Sequence, residues 1–258
     1  MPETLLIHDE NNIRTLTLNR PDRRNALTPE MQQELIAVLD ETAVTQSIRL
    51  LILTGAGESF CAGLDLSALQ AMKDKSAAEL DDDARRISRM FRTLYELPVP
   101  TIAVVNGHAI AGGTGLATLC DFTLAIPSAK FGYTEVKIGF VPALVSAYLS
   151  LQIGEKRSRD LLLTGRLFTA QEAQHLGLVT EVVESADLAT RTQTLAQTLL
   201  QNSPAALAAT KRLLAAQNRP WLDAALNCAM QAQSAARQTA DFHEGIGAFL
   251  EKRKPSWV

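Results

Sequence analysis

The chain has 258 residues, 47% of them hydrophobic, enough for a substantial core in one or two domains. Its 25 basic and 28 acidic side chains leave a formal charge of -3, which excludes a global attraction to nucleic acid or to an anionic membrane. Cys61, Cys120 and Cys228 show neither metal-ligand spacing nor an even-numbered disulfide framework, and read as reduced thiols. Low aromatic content argues against a base-stacking surface. The start, Met1-Pro2-Glu3, lacks the basic region and apolar run of a signal peptide, and no apolar segment approaches membrane-spanning length. The expectation is a cytoplasmic enzyme with no membrane or nucleic-acid partner.

In chain order, Leu5 to Leu18 reads as two short strands around a polar turn at Asp9-Glu10-Asn11-Asn12, with clear alternation from Ile13 to Leu18. Thr28 is placed as an N-cap, Pro29 as the first helical residue, and Met31, Leu35, Val38 and Leu39 as that helix's apolar face. A second cycle has a strand from Arg49 to Leu53, a polar stretch with Lys73, Asp74, Lys75 and Asp81-Asp82-Asp83, and a helix face of Ile87, Met90, Phe91 and Leu94 ending near Pro98. The polar stretch is either mobile near the site or a solvated helix surface. The third cycle has a strand from Thr101 to Val105, a short buried helix at Leu116 to Leu119, and a strand from Phe122 to Ile126. Such alternation favours an α/β core.

Leu161 to Gly165, Thr169 to Leu176 and Leu178 to Val183 close this core, and Thr169 with Glu172 has capping-box spacing. The early glycine fingerprint of a dinucleotide fold and the phosphate-binding Gly-Lys-Ser/Thr loop are both missing. An α/β core over 1–184 and a helical region over 185–258 are expected, with Pro204 and Pro220 near helix starts.

Two glycine-rich turns follow core strands: Phe60-Cys61-Ala62-Gly63-Leu64-Asp65, and Asn106-Gly107-His108-Ala109-Ile110-Ala111-Gly112-Gly113. Bond cleavage or proton transfer beside a thioester carbonyl builds charge on its oxygen, and fixed backbone N–H donors at Leu64 and Gly112 would stabilise it. Glu135, between apolar neighbours in Thr134-Glu135-Val136, would be partly desolvated and tuned for acid/base work; a cap or an ion pair with Lys137 is the structural alternative. Asp65 reads as a turn-stabilising residue. His108 either touches substrate or binds backbone. Tyr133, two residues before Glu135, would share its face on an extended segment and line the pocket or simply pack. His8, His108, His175 and His243 form no zinc pattern with the cysteines, and no Gly-x-Ser-x-Gly turn exists.

These segments, with Asn19-Arg20-Pro21 through Asn25-Ala26-Leu27, Phe131 through Pro142, Leu163-Thr164-Gly165 through Gly177-Leu178-Val179 and the closing Phe249 to Arg253, resemble the enoyl-CoA hydratase/isomerase (crotonase) family over nearly the whole length. The resemblance implies a crotonase-like α/β spiral of repeated β-β-α units with a helical C-terminal trimerisation region, assembled as a homotrimer or a dimer of trimers. It implies acyl-CoA thioester substrates and no required cofactor, CoA being part of the substrate. It matches Leu64 and Gly112 to the oxyanion hole. It sets Arg23, Arg24, Ala26 and Ala62 against CoA, with Lys252 reaching a CoA phosphate from a neighbouring subunit.

The sequence departs from the family at Gly115. Hydratases of the family use two glutamates; the second matches Glu135, and the first falls on Gly115, which cannot orient water through a side chain. Glycine there would leave room beside the acyl group for a branched substrate. Enoyl-CoA hydration, or the reverse dehydration, is placed first on local sequence. Δ3,Δ2-Enoyl-CoA isomerisation with Glu135 as the single proton shuttle is the first alternative, and an inactive acyl-CoA-binding trimer the second.

Overall fold

The computed structural model describes residues 4–72 and 74–257; Lys73 of the polar stretch and the Met1-Pro2-Glu3 start lie outside the described residues. Strands β1 (Leu5–Glu10) and β2 (Ile13–Leu18) form an antiparallel hairpin. Its two turn residues, Asn11 and Asn12, hold φ at 50° and 65°, a left-handed pair that asparagine tolerates and that suits strand twist. The strands therefore continue through Asp9 and Glu10, which the sequence assigns to the turn.

Helix α1 (Pro29–Val44) starts as anticipated, with the Thr28 side chain accepting from the Met31 N–H and Met31, Leu35, Val38 and Leu39 buried. Three β-β-α units follow. The first has β3 (Leu50–Gly55), β4 (Ser59–Cys61), α2 (Leu66–Gln70) and α3 (Ala77–Tyr95); the second has β5 (Thr101–Val105), β6 (His108–Ile110) and α4 (Gly112–Leu119). The third has β7 (Phe122–Ala125), β8 (Lys130–Gly132) and α5 (Ala143–Thr164). After them come β9 (Leu167–Thr169), α6 (Ala170–Leu176), β10 (Glu181–Val182), α7 (Leu188–Leu200), α8 (Pro204–Ala236) and α9 (Ala240–Leu250).

Each unit sends its first strand to one sheet and its second to another. The larger sheet has six strands in the order β1-β2-β3-β5-β7-β10, and the smaller has four in the order β4-β6-β8-β9. Apart from the β1–β2 and β8–β9 pairs, neighbouring strands run parallel. The run Leu50-Leu51-Ile52-Leu53 is buried throughout because the larger sheet is covered on both faces. Leu51, Leu53, Ala103 and Val105 pack with α1 and α3, while Leu50, Ile52, Ile102 and Leu124 meet Leu188, Ala196 and Leu199 of α7.

Helices α8 and α9 take a different position. Helix α8 packs on α3 and α5, and α9 packs on a 3-10 turn at Glu135–Ile138. Pro204 opens α8 as its first residue, but Pro220 lies inside this helix rather than near a start. Proline removes one backbone donor, and a long helix with neighbours to pack on continues past that loss. The long α5 is a second difference from the sequence reading, which sees only its end. Gly154, at φ 76° and ψ 162°, interrupts its helical backbone and breaks the periodic signal.

Candidate active site

The first glycine turn is held from below by the segment before α1. Asn25 is fully buried; its Nδ2 donates to the carbonyls of Ala56 and Ser59, and its Oδ1 accepts from the Arg20 N–H. The Ala62 N–H donates to the Arg24 carbonyl at 2.9 Å. The Leu27 N–H donates to the Gly63 carbonyl and the Asp65 N–H to the Leu27 carbonyl, at 2.8 and 3.0 Å. This parallel bridge leaves the N–H of Leu64 on the opposite side of the chain from Leu27. Asp65 behaves as the sequence suggests: it accepts from the Ser67 and Ala68 N–H groups at the start of α2, and pairs with Arg20 at 2.9 Å.

The second turn ends strand β6 and opens α4, with Gly112 as the first helical residue. An N–H in that position has no intrahelical acceptor and carries the positive end of the helix dipole. Ala111, just before it, sits at φ 52° and ψ -122°, which no alanine adopts without strain. The Ala111 N–H is fixed to the Gly132 carbonyl, and Thr114 Oγ1 donates to the carbonyls of Ala109 and Gly132. No sequence signal marks Ala111, because alanine is unremarkable in any turn.

The two turns meet backbone to backbone. A Cβ on Gly63 would lie 2.9 Å from Ala111 Cβ and 3.3 Å from the Gly112 nitrogen, and a Cβ on Gly113 would lie 2.2 Å from the Cys61 carbonyl oxygen. Glycine at 63, with φ 87°, and at 113 is what allows this approach. Leu64 and Gly112 thus open on one cavity of about 570 Å³, which Glu135 also lines.

Glu135 is buried, and its Oε2 has neither solvent nor a hydrogen-bond partner. Burial pushes its carboxyl up to about 7, only partly opposed by a bond from its own backbone N–H. Tyr133 does not share its face. The backbone of Thr134, at φ -94° and ψ 6°, ends the extended run, and Glu135 begins the 3-10 turn. Tyr133 is buried outside the cavity lining, its ring 6.4 Å from that of Phe168. Packing, rather than a place on the pocket wall, is its environment.

Gly115 also differs from its sequence reading. No open space stands beside it: a Cβ there would lie 2.8 Å from Val145 Cγ1 and 3.2 Å from Phe91 Cε1. Phe91 and Val145, which do line the cavity, occupy the region an acidic side chain would need. The acids on the cavity lining among the described residues are Glu135 and the exposed Glu58.

Arg24, Ala62 and His108 line the same cavity, with the side chains of Arg24 and His108 at its exposed end. His108 Nδ1 accepts from the Lys130 N–H at 3.2 Å, so it binds backbone while standing on the wall. Arg23 is exposed outside the lining, on a one-turn helix at Pro21–Arg23; Ala26 is buried, and its carbonyl accepts from Arg20. Lys252 is exposed beyond α9 and off this chain's cavity, whereas Phe249 of α9 is on it. Cys61 and Cys120 are sealed in the core, where burial pushes both thiols up to about 12 and leaves them unreactive. No group of three or more His, Cys, Asp or Glu that could hold a metal ion, and no helix long and apolar enough to cross a membrane, occurs among the described residues.

Chemically, two N–H groups beside one buried acid near neutrality can polarise a carbonyl and move a proton next to it. A family model described as enoyl-CoA hydratase/isomerase matches residues 8–258. The chain is 42% identical over 247 residues to a Thermus thermophilus protein that carries an enoyl-CoA hydratase name, covering 96% of this chain and 98% of that one. It is 35% identical to the 1,2-epoxyphenylacetyl-CoA isomerase of Escherichia coli, over 100% of this chain and 99% of the relative. The crystal structure of an enoyl-CoA hydratase from Mycobacterium avium subsp. paratuberculosis superposes with a TM-score of 0.89 at 28% identity, covering 99% of each chain. These names span hydratases and an isomerase without singling out one reaction. In sequence and in fold, the chain belongs to the enoyl-CoA hydratase/isomerase (crotonase) family, with enzymatic activity of that general kind.

Proposed function

We propose that the chain moves a double bond in an enoyl-CoA thioester from the 3- to the 2-position, with Glu135 as the single proton carrier. The observation that carries this reading is the lone buried acid on the wall, with Phe91 and Val145 filling the space a second acid at position 115 would use. The Glu135 carboxylate takes a proton from C2. The electron pair of the broken C–H bond moves into the C1–C2 bond, and the thioester oxygen gains the charge. The N–H groups of Leu64 and Gly112 bind that oxygen, each contributing a factor of about 10² to 10³ in rate. Glu135 returns the proton to C4, and the double bond ends between C2 and C3. An acid near 7 suits both halves, since neither protonation state is far from reach.

In the same reading, Arg24 and Ala62 border the CoA moiety at the exposed end of the cavity, with Arg23 and Ala26 on the adjoining segment. Lys252 serves a CoA phosphate of a neighbouring subunit in a homotrimer or dimer of trimers, built on the helical region that follows residue 184.

Hydration of a 2-enoyl-CoA is the second reading, favoured by the hydratase names among the relatives. It requires Glu135 to hold a water with some group other than an acid at 115. Initial rates of 3-enoyl-CoA isomerisation and 2-enoyl-CoA hydration, measured side by side on the purified protein, test the choice. Isomerisation should exceed hydration; rapid hydration without isomerisation would reverse the preference.

A further inference from the structure

Thr114, in the first turn of α4, is wholly buried. Its hydroxyl reaches back from the helix to the ends of two strands. Oγ1 lies 2.6 Å from the Ala109 carbonyl oxygen of β6, and 3.1 and 3.2 Å from the carbonyl oxygen and the backbone nitrogen of Gly132 on β8. A hydroxyl has one hydrogen to donate and two lone pairs to accept with. The hydrogen favours Ala109, the nearer carbonyl, while a lone pair accepts from the Gly132 N–H. One side chain thus bonds to both strands at once, in a dry interior where no water competes for its partners.

Those strand ends are where the two halves of the site meet. Gly112, in the same helical turn as Thr114, offers its N–H at the helix start. After Gly132 only Tyr133 and Thr134 intervene before Glu135. The Gly132 carbonyl also accepts, at 2.6 Å, from the N–H of Ala111, whose strained backbone aims Gly112. The β6–β8 pairing stops at Ile110 and Gly132, so beyond it the ladder no longer fixes the distance between the two chains. Thr114 ties them together at that last rung.

We propose that Thr114 is a positioning residue, whose hydroxyl sets the separation between the oxyanion donor at Gly112 and the acid at Glu135. The inference rests on the oxyanion-and-acid reading of the cavity. Thr114 itself is off the cavity lining and touches no substrate. The reaction needs the thioester oxygen on the Gly112 N–H while C2 stands within reach of Glu135. A misplacement of about 1 Å between two such groups costs on the order of 10²-fold in rate. Binding of the unreacted thioester draws on its whole length and depends less on this one separation, so the loss falls on kcat.

Two variants divide the side chain: Thr114→Val keeps its shape and removes the hydroxyl, and Thr114→Ser keeps the hydroxyl and removes the methyl. Folded Thr114→Val should lower kcat for 3-enoyl-CoA isomerisation about 10- to 100-fold. Its Kd for hexanoyl-CoA, which can neither isomerise nor hydrate, should stay within about threefold of wild type. Thr114→Ser should stay within about threefold of wild type in both. The infrared band of an isotope-labelled hexanoyl-CoA carbonyl gives a readout independent of turnover. Binding to wild type and to Thr114→Ser should lower its frequency, and binding to Thr114→Val should lower it less. A packing role predicts the reverse order, with valine the milder change. A fall in kcat of tenfold or more in folded Thr114→Ser would therefore overturn the proposal, whether or not Thr114→Val folds. Wild-type kcat and band position in folded Thr114→Val would overturn it too, and leave isomerisation standing. A band shift that depends on Thr114, in protein that turns over no 3-enoyl-CoA, would sink the proposed reaction and keep this inference.

Discussion

The Cβ that Gly115 lacks would fall 2.8 Å from Cγ1 of Val145, a separation at which something must move. Phe91 closes the other side at 3.2 and 3.3 Å. Position 115 is therefore a packed wall, and its glycine is kept by the side chains leaning over it. Gly115→Ala should destabilise the fold by about 1–3 kcal/mol through overpacking. The double variant Gly115→Ala/Val145→Ala should recover part of that loss, because the clashing methyl is gone. Denaturant unfolding of the four-member cycle measures the coupling; simple additivity would mean the two positions do not press on each other.

Burial holds the Glu135 carboxyl near 7, and the proposed first step needs it ionised. The rate constant kcat/KM for isomerisation should therefore rise as pH increases through about 7 and level off above it. A profile already flat from about pH 5 would show an ordinary, solvated carboxylate.

The same shift has a consequence for stability with a fixed sign. The folded-state value, about 7, lies above the ordinary 4.5, so the folded protein holds a proton that the unfolded chain releases between those limits. The stabilisation this gives is complete below the unfolded value and is lost as pH rises through the folded one. Glu135→Gln cannot ionise and escapes the loss. Between about pH 4 and pH 8, its stability relative to wild type should improve by on the order of 2–3 kcal/mol. Urea titrations at both ends of the range read this directly, and a pH-independent difference would contradict it.

Ala111 is the strained residue that sets the direction of the Gly112 N–H. Ala111→Gly relieves the positive φ but loosens the unfolded chain, so its stability should stay within about 1 kcal/mol of wild type. Ala111→Val adds a β-branch to the same backbone and should cost about 2 kcal/mol or more, with a larger fall in kcat than in substrate affinity. Equal tolerance of glycine and valine would show that the backbone at 111 is relaxed.

Much of this architecture was legible in local chemistry. The Thr28–Pro29 start, the apolar face of α1 and the alternation in β2 each follow from short-range rules that packing later reinforced. Thr169 caps α6 through the Glu172 N–H as its spacing suggests, but the Glu172 carboxylate turns to Arg166 instead of closing the box. Of the acidic run, Asp81 and Asp82 are solvated, while Asp83 is buried because α8 brings Arg237 to it from 154 positions away.

What escaped the sequence depended on single backbone angles or on distant chain. One non-extended residue, Thr134, separates Tyr133 from Glu135. The filling of Gly115 comes from α3 and α5, which local sequence around position 115 does not report. No spacing rule reports such meetings.

The most direct test is the rate of 3-enoyl-CoA isomerisation by wild type and by Glu135→Gln, on protein shown to be folded by its thermal transition. Removing the single proton carrier should reduce kcat by about 10³-fold or more while thioester binding persists. Isomerisation at the wild-type rate by the folded variant would contradict the account, since no second buried acid stands on the described wall of the cavity.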